Sequence, residues 1–361
     1  MLTAADEWHV HQTPEPIAVA GTDRNFYDRS YFGAFDPQSG LMVAAAFGMY
    51  PHLNVADAHL TVVLGGVQHA VHASKTLHSD RATLRVGPVA IEVVEPLRCL
   101  RVTVDETDGV AAELTVTGTH FPIEEPRFVY RIGPRTFMDY TRLSQGCTVD
   151  GWVSVDGERH VLGAGAFALR DRSWGIRPTG APDPQPHLPP RAPQFAWLWT
   201  PVRLPGRTIF WHLNADAAGR PWNTRATICP DRAGEEEHVH AHGVMTPVLE
   251  PGTRWVAGAT LTIAADDGTD LELTYEPRAH LEMQGLGYRH PSWSHGLAHG
   301  ELEVARETID LTAPDPGALH RWHRQLLCDV TAVDRAAETT ERGTGILEHL
   351  VIGPYAPLGL G

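Results

Sequence analysis

The sequence predicts an all-β protein of antiparallel strands in two domains, and three observations carry that prediction. Apolar residues recur with period two, as in Val102 and Val104, Leu114 and Val116, Val153 and Val155, Leu261 and Ile263, and Leu271 and Leu273. That is the spacing of a strand with one face buried. Asp-Gly pairs stand at the ends of such runs, at Asp108-Gly109, Asp156-Gly157 and Asp267-Gly268, where glycine accepts the positive φ of a tight hairpin. A stretch with seven prolines, residues 178–194, cannot pair inside a sheet and divides the chain. The expected organisation is a β domain over 1–177, a linker or lid over 178–194, and a second β domain over 195–361.

The elements follow in order. Strand-like runs fill the first part up to Leu169-Arg170-Asp171-Arg172-Ser173-Trp174-Gly175. Directly after the proline stretch, Phe195, Trp197 and Trp199 alternate and fall on one face of a strand, which lines an apolar pocket if it points into a barrel and packs a sandwich core if it does not. One short helix is expected near 316–327. Asp315 is placed to cap it and Pro316 to open it, with Leu319, Trp322, Leu326 and Leu327 along one face. Two more strand-like runs close the chain, Leu327–Val333 and Gly345–Ile352.

Composition excludes several functions. Of 361 residues 42% are hydrophobic and 20% charged, the balance of a globular protein. A net charge of −15 argues against nucleic acid, whose phosphates it would repel. No apolar run reaches the roughly 18–20 residues of a membrane span. The start of the chain shows no export signal, and Cys99, Cys147, Cys229 and Cys328 are scattered without a CxxC pair, so a cytoplasmic location with reduced thiols is expected. Lys75 is the only lysine, which restricts Schiff-base chemistry to one position. There is no phosphate loop, dinucleotide fingerprint or HExxH, and so no cofactor is implied. His238, His240 and His242 alternate and would share a strand face suited to a metal. The acidic run Glu235–Glu237 between Gly234 and Gly243 reads instead as an exposed hairpin, and no metal is expected.

The chemistry-bearing motif is Arg-x-x-Ser-Trp, written twice: Arg170, Ser173 and Trp174, then Arg289, Ser292 and Trp293. In the first copy Asp171 lies between Arg170 and Arg172. Ion-paired it is a structural latch; in a dry pocket it becomes a general acid. In the second, His290 and His295 flank Trp293 and are candidate proton carriers.

Gly163-x-Gly165 followed by Arg170-Asp171-x-Ser173-Trp174-Gly175-x-Arg177 resembles the Arg-Asp-His-Ser-Trp-Gly signature of the carotenoid 1,2-hydratase (hydroxyneurosporene synthase) and AttH-like family. Asn25-Phe26-Tyr27, His290-Pro291-x-Trp293-x-His295-Gly296 and Gly345-x-Leu347-Glu348 also look like marks of that family. The resemblance implies two tandem lipocalin-like (calycin-type) β domains and an apolar pocket for a hydrophobic small molecule. It also implies proton-assisted hydration or dehydration, isomerisation or cyclisation without a cofactor. Asp171, Arg172, His290 and His295 are then the expected catalytic residues, with Arg170, Trp174, Trp197, Trp199 and Trp293 expected at the substrate. Two departures weigh against carotenoid hydration itself: Arg172 replaces the signature histidine, and Trp199-x-Pro201 stands where the hydratases carry Tyr-x-Asp. A lipocalin-like carrier for a lipophilic ligand is the alternative.

Overall fold

The computed structural model describes residues 1–163, 165–185 and 192–361, so the proline-rich stretch lies partly outside the described residues. Before that stretch the chain forms β1 (Phe26–Asp36), β2 (Leu41–Tyr50), β3 (Val55–Leu64), β4 (Val67–Thr76), β5 (Arg85–Val86), β6 (Val89–Glu95), β7 (Cys99–Thr107), β8 (Val110–Gly118), β9 (Ile123–Glu124), β10 (Phe128–Ile132), β11 (Arg135–Val155), β12 (Glu158–Leu162) and β13 (Phe167–Ile176). After it come β14 (Phe195–Leu204), β15 (Arg207–Ala215), β16 (Pro221–Pro230), β17 (Val239–Leu249), β18 (Val256–Ala264), β19 (Asp270–Glu282), β20 (Leu302–Asp310), β21 (Arg324–Asp334) and β22 (Thr339–Ile352).

The early strands form one antiparallel sheet in the order β20-β4-β3-β2-β1-β13-β11-β8-β7-β6-β5, while β14–β19, β21 and β22 close an eight-stranded barrel. The fold is all-β, as its periodicity predicts. The hairpins at Asp108-Gly109 and Asp156-Gly157 have positive φ at both residues (49° and 84°, 51° and 87°), the backbone of a type I′ turn. One strand crosses over: β20, from the second half of the chain, pairs with β4 from Leu302↔Lys75 to Asp310↔Val67. The segment between Met283 and Asp310 therefore belongs spatially to the first sheet.

Burial explains how sheet and barrel meet. β2 is buried at every position, because its two faces serve different cores. Val43, Ala45 and Phe47 pack inside the first sheet, and Met42, Ala44 and Ala46 pack toward the barrel. In β14, Leu198 and Val202 fill the barrel interior with Trp211, Leu261 and Leu347. Trp197 and Trp199 point outward instead, into the layer shared with Tyr31, Phe35 and Leu169 of the first sheet. The alternating tryptophans thus line the seam between the two bodies and not a barrel interior.

The expected helix at 316–327 does not form. Only the 3-10 turn Leu319–Arg321 is helical there. Leu326 and Leu327 belong to β21, whose pairing with β19 and β22 satisfies its backbone. Arg321 fixes the turn by donating to the carbonyls of Asp310 and Ala313 and to Glu282. Among the described residues, no helix is long and apolar enough to cross a membrane.

Candidate functional site

The site is built on β13, which lies between β1 and β11 with Asp171 opposite Tyr31 and Ser144. Strand alternation sends Phe167, Leu169, Asp171 and Ser173 toward the barrel, and Ala168, Arg170, Arg172 and Trp174 the other way. Arg170 is buried and donates from Nε to Gln145 Oε1 at 2.7 Å. Arg172 is exposed and pairs with Asp28 at 3.0 Å, its guanidinium over Trp174, which is itself 38% exposed. The three are therefore not partners of the Asp171 carboxyl, contrary to what their adjacency suggests. Gly175 is required by close approach. At φ 138° a Cβ there would lie 2.4 Å from the Asp139 carbonyl oxygen. Gly175→Ala is accordingly expected to destabilise the fold by about 1–3 kcal/mol in denaturant titration.

The group facing Asp171 comes from the neighbouring strand. Arg142 Nη2 lies 3.3 Å from Asp171 Oδ2, and its guanidinium stacks over Trp199 (4.6 Å) and Trp197 (5.2 Å). Arg142 also faces Glu125 at 3.7 Å, whose Oε1 accepts from Ser144 Oγ at 2.7 Å. Asp171 is enclosed by protein but keeps 18% of its side-chain surface open. Burial pushes its pKa up from 3.8 to about 6; Arg142 and Arg177 oppose that shift, while the negative charges of Glu125 and Glu348 assist it.

Glu348 on β22 is the counterpart. Its Oε1 accepts from Trp197 Nε1 (2.7 Å) and His323 Nε2 (2.8 Å), and its Oε2 accepts from Gln325 Nε2 (2.7 Å). Gln325 in turn accepts from Tyr31 Oη at 2.6 Å. Burial alone would raise this carboxyl, but the bonds from His323 and Gln325, with the charge of Arg142, bring it down to about 2. The two carboxyls are thus shifted in opposite directions, Asp171 up and Glu348 down.

Beside them stands Arg177. It donates from Nη2 to His295 Nδ1 at 3.3 Å and lies over the rings of Tyr27 (4.3 Å) and Tyr288 (5.6 Å). Tyr27 Oη donates to Ser173 Oγ at 2.9 Å. His295 donates from Nε2 to the Leu286 carbonyl at 2.9 Å. Burial, with Arg29 and Arg177 nearby, holds its pKa well below 6.5. His295 is therefore held as a neutral ring against Arg177.

His290 and Trp293 lie elsewhere. His290 Nδ1 accepts from the backbone N–H of Ser292 (3.0 Å) and Trp293 (2.8 Å), and Nε2 donates to Glu307 at 3.1 Å. Trp293 stacks on His72 and His299. These residues form a turn over β3 and β4 in which Arg289 has φ 57°, so the second Arg-x-x-Ser-Trp is not a structural repeat of β13.

Among the described residues two clusters have metal-like spacing, His72–His290–Glu307 and His120–Cys229–His238. In each, one imidazole already has both ring nitrogens engaged. His290 Nδ1 is committed to backbone donors, so Nε2 carries the proton. His120 donates from Nδ1 to the Phe121 carbonyl and accepts the Gly146 N–H at Nε2. Each cluster thus holds one imidazole without a free lone pair, while His238 Nε2 in the second is buried without a partner. His238 and His240 border a polar surface cavity of about 340 Å³ that Glu125 and Arg225 also line, and His242 is not among its walls. A second, of about 490 Å³, is lined by Arg254 and Trp322. Asp171 lines neither.

A closed eight-stranded barrel joined to a second antiparallel sheet is a tandem lipocalin-like fold. The chain belongs to a family of unknown function, DUF8625, whose family model matches residues 2–361. The fold is similar to that of a candidate AttH protein from Nitrosomonas europaea (TM-score 0.53, 14% identity, covering 90% of this chain and 92% of that one). Kievitone hydratase from Nectria haematococca aligns with a TM-score of 0.48 and 13% identity, over 91% of this chain and 90% of that one. No curated protein matches the sequence.

Motif reading reached part of this site. Asp171, Trp197 and Trp199 are brought together. Arg177 and Glu348 stand inside the motifs quoted above without a role of their own, and Tyr31, Arg142, His323 and Gln325 lie in none.

Proposed function

We propose that the chain is a cofactor-independent enzyme of the hydratase, lyase or isomerase class, acting on an apolar isoprenoid, steroid or polyketide-like molecule at the seam. The observation that carries this reading is the enclosed but reachable Asp171 carboxyl with a pKa near 6, set against the fixed anion Glu348. In the hydration direction the Asp171 O–H bond breaks and its proton goes to one alkene carbon. Water adds to the neighbouring cationic carbon, and the proton released by that water returns to the Asp171 carboxylate. Dehydration is the reverse. Isomerisation omits the water and returns a different proton.

The test is incubation of the protein with a panel of polyprenoid, steroid and polyketide-type alkenes and alcohols, followed by mass spectrometry for gain or loss of one water and by chromatography for isomers. Turnover is expected to fall as pH rises through about 6, where Asp171 loses its proton. A ligand that binds the wild type and returns unchanged, at every pH tried, would leave the carrier reading in place of the enzyme.

A further inference from the structure

We propose that Arg177 is a carboxylate-binding subsite, so that the molecule taken at the seam is an apolar acid carrying one carboxylate. This rests on the reading of the seam as the ligand site.

The argument begins with which guanidiniums already have a countercharge. Arg29 faces Asp57 at 3.3 Å and also donates to Tyr50 Oη and the Leu286 carbonyl. Arg142 lies between Asp171 and Glu125. Arg177 differs: among the described residues no carboxylate oxygen lies within the 4.0 Å of a salt bridge, and its one hydrogen-bond partner is the neutral ring of His295. Its guanidinium lies over the rings of Tyr27 and Tyr288, and its other N–H donors have no partner among the described residues. Tyr288 is partly open and carries Arg29 against its ring as well, at 5.2 Å. A guanidinium edge matches the two oxygens of a carboxylate. A carboxylate offers that edge two coplanar oxygens and a single negative charge.

Occupation would also act on the acid. Asp171 is faced by Arg142 from β11, by Glu348 from β22, by Glu125 ahead of β10, by Tyr27 and Tyr31 from β1, and by Arg177 beyond the end of its own strand. Arg177 is one of the two charges that ease its ionisation. A ligand carboxylate on Arg177 cancels that field and adds a like charge, so Asp171 holds its proton more tightly. Binding of the acid therefore readies the general acid, with uptake of a proton near pH 6–7.

Calorimetry with decanoate and decanol at pH 6.5, in two buffers of different ionisation heat, tests this. Decanoate should bind the wild type more tightly than decanol, and Arg177→Met should weaken decanoate roughly 10- to 100-fold while leaving decanol unchanged, as loss of a charge-assisted bond predicts. Arg177→Lys should recover part of the loss. Asp171→Asn should keep the preference for decanoate and lose the proton uptake. Equal binding of the two probes by the wild type, no binding of decanoate, or an Arg177→Met variant with wild-type decanoate affinity overturns the proposal. If Arg177→Met does not fold, the wild-type comparison of acid with alcohol still decides it. A decanoate preference without turnover of any unsaturated acid would sink the catalytic reading and spare the subsite.

Discussion

Replacing Asp171 by Asn is expected to abolish turnover and to make the fold more stable above about pH 6. The two effects have one cause. A carboxyl that titrates near 3.8 in the unfolded chain and near 6 in the folded one binds its proton more tightly when folded. The folded state is thus penalised wherever the group must be ionised, and the penalty disappears as pH falls from about 6 to about 4. The full shift corresponds to about 3 kcal/mol. Solvent at the open part of the side chain reduces it, so a gain of about 1–3 kcal/mol at pH 7.5 is expected for Asn, shrinking toward zero at pH 4. Arg142 keeps Glu125 as a partner, so no charge is stranded. Turnover should drop at least about 100-fold, the contribution typical of a positioned acid. Denaturant titrations of both proteins at the two pH values check the stability half. A variant less stable than wild type at pH 7.5 would show that the Arg142–Asp171 pair is a structural latch.

Much of the fold was legible because its signals are local. Period-two alternation and Asp-Gly turns each need only a few consecutive residues, and both appear in the strands and hairpins as read. The helix at 316–327 failed for the same local reason: the positions of Leu319, Trp322, Leu326 and Leu327 satisfy a helical face, while the pairing of Leu326 and Leu327 with β19 and β22 is a long-range event. The repeated Arg-x-x-Ser-Trp was misleading in role. Neighbours on a strand face opposite ways, so once β13 is a strand, Arg170 and Arg172 cannot share a face with Asp171. The group that does pair with Asp171, Arg142, is brought in by β11, and Glu348, which acts on it only through like charge, by β22. Their registers depend on packing between a sheet and a barrel that meet only in the folded chain.

Glu348→Ala is expected to be the most damaging single change at the site, costing about 3–5 kcal/mol. The side chain accepts from Trp197, His323 and Gln325, and all three donors are buried. Truncation leaves them unsatisfied and loosens the Tyr31–Gln325 contact that ties β1 to β21. Glu348→Gln keeps the volume and removes the charge, at the loss of one acceptor, since its amide nitrogen cannot accept from Gln325 Nε2. The wild-type carboxyl is held near 2, below its ordinary 4.5, so it stabilises the fold above about pH 4.5 and that contribution is lost as pH falls toward 2. The Gln variant should lose this acid sensitivity and unfold with a flatter pH dependence over that window. It should also change the chemistry at a distance. The negative charge of Glu348 is one of the forces that raise Asp171, so removing it lets Asp171 ionise more readily. The pH at which turnover falls should therefore move down in Glu348→Gln. An unchanged pH–rate profile would mean that Glu348 only braces the seam, and that burial alone sets the acid.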